Sequence, residues 1–384
     1  MQVGQLLSGN AVRDGAAGGV ACPALVPRPD ERDLARWRAD VRDRVARVLA
    51  RFVRDRCAEH VHGVPGAGFV TDLLTELVGG GKYVRSTFAY LGWLCGATES
   101  EAAIRAAAST ELVHAFALLQ DDVMDRSVLR RGRPAVHLRL ADWHRAEGFG
   151  GSAERFGESA AILLGDLLLV WAEQLLRDSG LGGPALARAW PCYDTLRGEL
   201  AVGQFADLVN DTSRSPSLAE VLDVTRRKSG NYTVRRPLEL GATLAGCDAV
   251  TLRVLGRYGE LVGEAFQLRD DLLGVFGRPA VTGKPNGDDL REHKATSVVV
   301  LARELATAEQ RARLAAASSR EPLGEADIEE WRRLIAATGA PTRIEEMIAS
   351  RVAAACDGLA GAGLGEFVPA ALRDLAVRAT DRVR

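Results

Sequence analysis

Apolar positions recur along almost the whole chain at the three-to-four-residue spacing of helices that bury one face. ERDLARWRADVRDRVARVLARFVRDR, residues 31–56, reads as a long amphipathic helix with its charges outward, and AAIRAAASTELVHAFALLQDDVMD, residues 102–125, as a second. ESAAILLGDLLLVWAEQLL, residues 158–176, is apolar nearly all round and is expected in the middle of a bundle. Glu158, Asp166 and Glu173 interrupt it, which argues against a membrane span. No segment alternates apolar and polar residues over strand length with hairpin turns. The pattern therefore predicts an all-α bundle, with loops at 126–136, 148–157, 213–217 and 277–289. Residues 1–30 are rich in Gly, Ala and Pro and read as a flexible tail, leaving 31–384 as a single domain.

Composition narrows the function classes. A chain of 384 residues that is 47% hydrophobic can bury a large core, and its net charge of −2 argues against a nucleic-acid binder, which normally carries a basic stripe. The cysteines (Cys22, Cys57, Cys95, Cys192, Cys247, Cys356) form no C-x-x-C pair and read as buried apolar residues in a reducing compartment. The N-terminus has no basic start followed by an apolar core, so the expected location is cytoplasmic.

Two apolar helices each end in an acidic pair, FALLQDDVMD at 116–125 and FQLRDDLLGV at 266–275. Asp121 and Asp125 sit one turn apart on one face, with His114 two turns before Asp121; Asp270 and Asp271 have Gln267 one turn before them. Like charges so placed repel unless a cation lies between them. Carboxylates without Cys or His partners favour hard cations, and Mg²⁺ in particular accepts a few carboxylates plus substrate phosphates. An ordinary solvated helix end explains one such pair; two pairs, each beside basic groups, point to metal.

The lysines strengthen this. Of 49 basic residues only four are Lys: Lys82 in GGGKYVR, Lys228 in RRKSGNY, and Lys284 and Lys294 at either end of KPNGDDLREHK. A position that keeps a compact ammonium in an Arg-rich chain needs the point charge, and each lies beside Gly, Ser or an Asp pair, where phosphate is commonly held. With Arg130 and Arg131 following Asp125 in the same loop, these features describe two clusters of Mg²⁺ ligands ringed by cations, a site for a pair of diphosphates.

GGKYVR, DDVMDRSVLRRGRP, GQFADL, KSGNYTVRRPLELGA and FQLRDDLLGVFGRPAVTGKP, in this order, resemble the motif set of the trans-isoprenyl diphosphate synthases, or polyprenyl synthetases, and most of all bacterial geranylgeranyl diphosphate synthases; the resemblance runs from about residue 35 onward. It implies the isoprenoid-synthase helical bundle with a central active-site cavity, usually homodimeric, joining an allylic diphosphate (C5, C10 or C15) head to tail to isopentenyl diphosphate. It further implies that Asp121 and Asp125 bind two Mg²⁺ ions and Asp270 a third, with Asp122 and Asp271 assisting through water. By the same resemblance Arg130, Lys228 and Lys284 hold the allylic diphosphate, and Lys82, Arg85, His114 and Arg131 hold isopentenyl diphosphate. Ser229 and Gln267 face the reacting carbons beside Lys228, Gln204 and Asp207 line the cavity, and Lys294 is a weaker member of the ring.

Product length is set by the cavity floor. Phe116 and Ala117 lie five and four residues before Asp121, and the resemblance implies that an aromatic followed by a small residue there leaves room for a C20 product, with C15 and C25 as alternatives. Four positions depart from the family pattern: Gly274 where many members have a third Asp, Tyr83 for Arg, Ser86 for Pro, and His293 for Gly or Asn before Lys294. A class I terpene cyclase would need a second motif of the form N-D-x-x-S-x-x-x-E, but NDTSRSPSLAE puts Arg214 and Leu218 at the Ser and Glu positions. A non-catalytic regulatory subunit would lose ligands from both acidic motifs, and here only residue 274 lacks its acid.

Overall fold

A computed structural model describes residues 30–212, 216–277, 287–319 and 323–381. The tail at 1–29, Cys22 and Lys284 lie outside the described residues. The elements run α1 (Glu31–His60), α2 (Ala67–Val78), α3 (Val84–Leu94), α4 (Glu101–Met124), a two-strand ribbon β1 (Leu129–Arg130) and β2 (Arg133–Pro134), α5 (Val136–Ala146), α6 (Ala153–Arg177), α7 (Gly183–Thr212) and α8 (Leu218–Thr225). A π-helical segment, Arg226–Arg235, leads into α9 (Arg236–Ala245) and α10 (Ala249–Phe276). The C-terminal part comprises α11 (Asp288–Arg291), α12 (Ser297–Leu305), α13 (Ala308–Ser318), α14 (Glu325–Ala337), α15 (Ala340–Asp357) and α16 (Phe367–Thr380). The all-α expectation holds.

α4 is the axis of the larger core. Ala106, Ala107, Ala108 and Ser109 let α3 and α6 approach closely, and Leu112 and Leu119 fill the layers between them. Its start is fixed by Ser100, whose hydroxyl accepts from Ala103 N at 3.3 Å. The polar end opposite is where Asp121, Asp122 and Asp125 emerge, so the buried helix itself delivers the carboxylates to one end of the bundle. A second apolar cluster joins α10 to α12 and α14, and α16 is tied back by Arg269, which donates to Thr380 O at 2.6 Å and to Glu345 Oε1 at 2.7 Å.

Two expectations are revised. The loop at 126–136 contains a minimal hairpin in which Arg130 pairs with Arg133; Arg131 and Gly132, both with positive φ (53° and 73°), make the tight turn that matches strand twist. Helix α6 is not in the middle of the bundle. One face packs on α4 and α5, while Ile162, Leu163 and Val170 are exposed, as are Val202 and Phe205 of α7. Both α4 and α6 are long and apolar enough to cross a membrane by length and composition; the α4 window is 67% buried and that of α6 only 39%.

Candidate active site

Four elements converge at the acidic end of α4. From α7, Gln204 Nε2 reaches Asp121 Oδ1 at 3.4 Å. From the π segment, Lys228 Nζ lies 3.2 Å from Asp121 Oδ1 and 2.5 Å from Asp207 Oδ2. From the turn before α12, Lys294 Nζ lies 2.6 Å from Asp125 Oδ2 and 2.9 Å from Glu292 Oε2. The hairpin swings Arg130 over the same cluster, its Nε 2.8 Å from Asp122 Oδ1 and its Nη2 3.3 Å from Asp121 Oδ2. The ion pairs thus bring together Asp121, Asp125, Arg130, Lys228 and Lys294, with the Asp125–Lys294 pair spanning 169 positions of sequence.

Local backbone geometry explains how Lys228 gets there. A π turn carries an extra residue and is commonly kept at functional sites; here it is accommodated by Gly203 of α7, where a Cβ would come within 2.5 Å of Lys228 N. Lys228, Ser229, Gln267, Asp207 and Lys294 line a cavity of about 130 Å³.

The electrostatics follow from burial and pairing. Burial pushes the Asp121 carboxyl up, but Lys228, Arg130 and Lys294 outweigh it and hold it at about 2, so it is ionised. Burial disfavours charge on Lys228 and Lys294 as well; Asp121 and Asp207 reverse this for the first, Asp125 and Glu292 for the second, and both are raised. The neighbours in the two Asp pairs behave differently. Asp122 is 2% exposed and taken by Arg130. Asp271 is buried and accepts from Ser297 N (2.9 Å), Ser297 Oγ (2.6 Å) and Gln267 Nε2 (2.9 Å); burial raises its carboxyl above the usual range. Both carboxylates therefore brace the walls: Asp122 fixes the hairpin, and Asp271 fixes Gln267 and the start of α12.

This donor set suits Mg²⁺. It is all oxygen, Asp121 is ionised, and Asp121 and Asp125 sit on adjacent turns. Among the described residues no group of three His, Cys, Asp or Glu side chains closes on one point.

The second cation group lies at the start of α3. Arg85 stacks over the Tyr232 ring at 4.2 Å and donates to Thr233 Oγ1 at 2.9 Å, and His114 Nδ1 is 2.7 Å from the Tyr232 hydroxyl. Arg131 donates to Gly79 O at 3.2 Å. Lys82 lines a different cavity, of about 360 Å³, with Arg38 and Arg42 of α1 and Arg378 of α16. Among the described residues, the non-glycine residues with positive φ are Tyr83, Arg126, Arg131 and His293, all in these site loops; a Gly or Asn at 293 is the cheaper choice for that backbone.

Sequence reasoning missed Glu111. Buried on α4, its Oε1 accepts from both Ser86 N and Ser86 Oγ at 2.9 Å, holding the first turn of α3 and with it Lys82 and Arg85. A Pro at 86 supplies neither donor, so Ser86 and Glu111 form a unit. Ser86→Pro is expected to destabilise the fold by about 3 kcal/mol, because it strips both bonds from a buried carboxylate; an unchanged midpoint in urea unfolding would refute this.

His114 gives a pH prediction. Burial, reinforced by Arg85, Arg131 and Arg130, lowers its pKa well below the ordinary 6.5, so the folded chain keeps it neutral. The unfolded chain takes up a proton below that value, so stability is complete above it and declines as pH falls toward the folded pKa, by at most about 1.4 kcal/mol per pH unit. His114→Gln is expected to flatten the loss of stability between roughly pH 6.5 and 5.5, measured as the wild-type-minus-variant difference in unfolding free energy. Equal slopes would mean that His114 does not titrate differently on folding.

Residues 68–335 match the sequence model of the family described as polyprenyl synthetase. The chain is 35% identical over 228 residues to the geranylfarnesyl diphosphate synthase of Aeropyrum pernix, covering 58% of this chain and 66% of that protein. It is 37% identical over 233 residues to the geranylgeranyl diphosphate synthase of Mycobacterium tuberculosis, covering 60% and 61%. The matched region thus spans less than two thirds of the length of these curated relatives. Among solved structures, the chain matches the geranylgeranyl pyrophosphate synthase from Corynebacterium glutamicum complexed with isoprenyl diphosphate and magnesium, with a TM-score of 0.82 and 37% identity over 91% of this chain and all of that one.

Proposed function

The chain belongs to the polyprenyl synthetase family, and we propose that it is a Mg²⁺-dependent trans-prenyltransferase that condenses an allylic diphosphate with isopentenyl diphosphate to give geranylgeranyl diphosphate. The observation that carries this reading is the charge arrangement at the end of α4: Asp121 and Asp125 one turn apart, each held by an ammonium from another part of the chain.

Asp121 and Asp125 would hold two of the ions and Asp270 a third, with Asp122 and Asp271 assisting through water. When bound, the ions neutralise charge on the departing diphosphate. Lys228, Arg130 and Lys284 take that diphosphate's remaining oxygens, and Lys228 and Lys294 trade a carboxylate for a phosphate partner. The ammoniums are already in a buried setting, where their attraction for new negative charge is stronger than in water. Lys82, Arg85, His114 and Arg131 hold isopentenyl diphosphate. Gln204 and Asp207 shape the cavity wall, and Ser229 and Gln267 face the reacting carbons. The allylic C–O bond breaks with its electron pair leaving on diphosphate, the new C–C bond forms from the isopentenyl double bond, and the freed diphosphate accepts the proton. No side chain acts as a nucleophile.

The chain-length reading rests on Phe116 and Ala117, half-buried on α4; a Cβ at Gly165 of α6 would lie 3.6 Å from the Phe116 ring, which puts that ring at the α4–α6 contact below the carboxylates. The exposed apolar residues of α6 and α7 support a homodimer, with a cytoplasmic, soluble enzyme as the setting. The deciding experiment incubates the protein with isopentenyl diphosphate, each of the C5, C10 and C15 allylic diphosphates and Mg²⁺, with an EDTA control. A Mg²⁺-dependent C20 diphosphate is expected. A C15 or C25 product would keep the reaction and remove the chain-length argument, whereas cyclic hydrocarbon without elongation would overturn the reading.

A further inference from the structure

The last turn of α10 carries Asp270, Asp271 and then Gly274, where an acid would be expected. The space beside that glycine is filled. A Cβ on Gly274 would lie 1.8 Å from Asp289 Oδ2 and 2.5 Å from Asp289 Cγ, so the carboxylate of Asp289 stands where a side chain at 274 would begin. Asp289 is held there by its own short helix: Gly287, with φ of 65°, starts α11, Leu290 is fully buried beneath it, and Asp289 O accepts from Lys294 N at 2.9 Å. Its carboxylate lines the same cavity as Lys228, Gln267 and Lys294. Asp271 meanwhile is turned inward to Ser297 and Gln267, so the second acid of the motif is occupied in bracing.

We propose that Asp289 supplies, from α11, the carboxylate that Gly274 leaves out of the second acidic motif, and that this side of the cleft holds its cation through Asp270 and Asp289. The glycine is then a requirement of this arrangement, since any side chain at 274 displaces the acid that replaces it. Asp289 also favours the charged form of Lys294, which couples the carboxylate to the ammonium facing Asp125. The inference rests on the proposed Mg²⁺-diphosphate chemistry and goes further in naming a ligand outside the motif.

The test moves the carboxylate. Wild type, Asp289→Asn, Gly274→Asp and the double variant Asp289→Ala/Gly274→Asp are titrated with Mn²⁺ in the presence of inorganic pyrophosphate, with bound metal read by electron paramagnetic resonance and folding checked by thermal melting. Asp289→Asn, which keeps the shape, is expected to weaken Mn²⁺ binding about tenfold, the loss of one charged ligand being worth about 1.4 kcal/mol. Gly274→Asp alone weakens it too, because two carboxylates then compete for one space and repel each other, and the double variant regains most of the affinity because the acid at 274 is left without that clash. Unchanged affinity in Asp289→Asn overturns the proposal. So does a loss that the double variant fails to restore, which would assign Asp289 to holding Lys294. A wild-type chain that binds no Mn²⁺ with pyrophosphate overturns the underlying chemistry as well, which separates the two failures.

Discussion

Asp121→Asn is expected to lower kcat by at least about 10³-fold, about 4 kcal/mol of transition-state stabilisation, while leaving the fold intact. Asp121 is the hub of the site, touched by Lys228, Arg130 and Gln204. Loss of its charge removes a proposed metal ligand and also frees Lys228 to settle on Asp207, its shorter contact at 2.5 Å. The fold survives because this cluster has acid to spare: among the described residues the ion pairs join five carboxylates, Asp121, Asp122, Asp125, Asp207 and Glu292, to three cations, Arg130, Lys228 and Lys294. Neutralising one carboxylate relieves repulsion about as much as it forfeits attraction. Lys228→Ala behaves in the opposite way, losing activity and stability together, since it leaves Asp121 and Asp207 close together without the ammonium between them. Steady-state rates set against melting temperatures separate the two patterns. An Asp121→Asn enzyme within tenfold of wild type would remove Asp121 from the metal site.

Ala117→Phe is expected to shorten the main product by one isoprene unit, with the ratio of the shorter to the longer product changed by at least about tenfold, the scale on which a pocket discriminates by size. Ala117 lies one turn before Asp121 on the same face of α4, so a ring there projects into the path of a chain growing away from the carboxylates. Condensation with the shorter allylic substrates should continue at a comparable rate, because no charged group moves. Phe116→Ala works in the other direction by removing the ring that packs near Gly165, and lengthens the product. Chain-length analysis of the extracted diphosphates is the readout. An unchanged product from Ala117→Phe would place the floor elsewhere, and a collapse in rate with every starter would mean that the ring blocks binding instead of growth.

Much of the site was legible because its chemistry is local. Asp121 and Asp125 are one helical turn apart, and four lysines in an Arg-rich chain stand out whatever the fold. Side-chain direction was less legible. Asp122 and Asp271 are adjacent in sequence to proposed ligands, yet one residue along a helix is a turn of about 100°, enough to send them to Arg130 and Ser297. Partners distant in sequence were illegible: Glu111 reaches Ser86 across 25 residues, and only folding places Asp289 over Gly274.

Helix α6 marks another limit. Its near-continuous apolar character suggested the interior, but hydrophobicity records only that a face avoids water, and not whether the same chain covers it. The π segment is similar: nothing local in RRKSGNY marks its extra residue per turn, which Gly203 of α7 accommodates by leaving room for the Lys228 backbone. The sequence alone was enough to determine an all-helical bundle, acidic helix ends and a ring of cations, since helical period and residue chemistry are properties of short stretches. Which carboxylates face the cleft, which brace its walls, and what fills the place of a missing acid were decided only when distant elements packed, because those are properties of distances between side chains that no local pattern encodes.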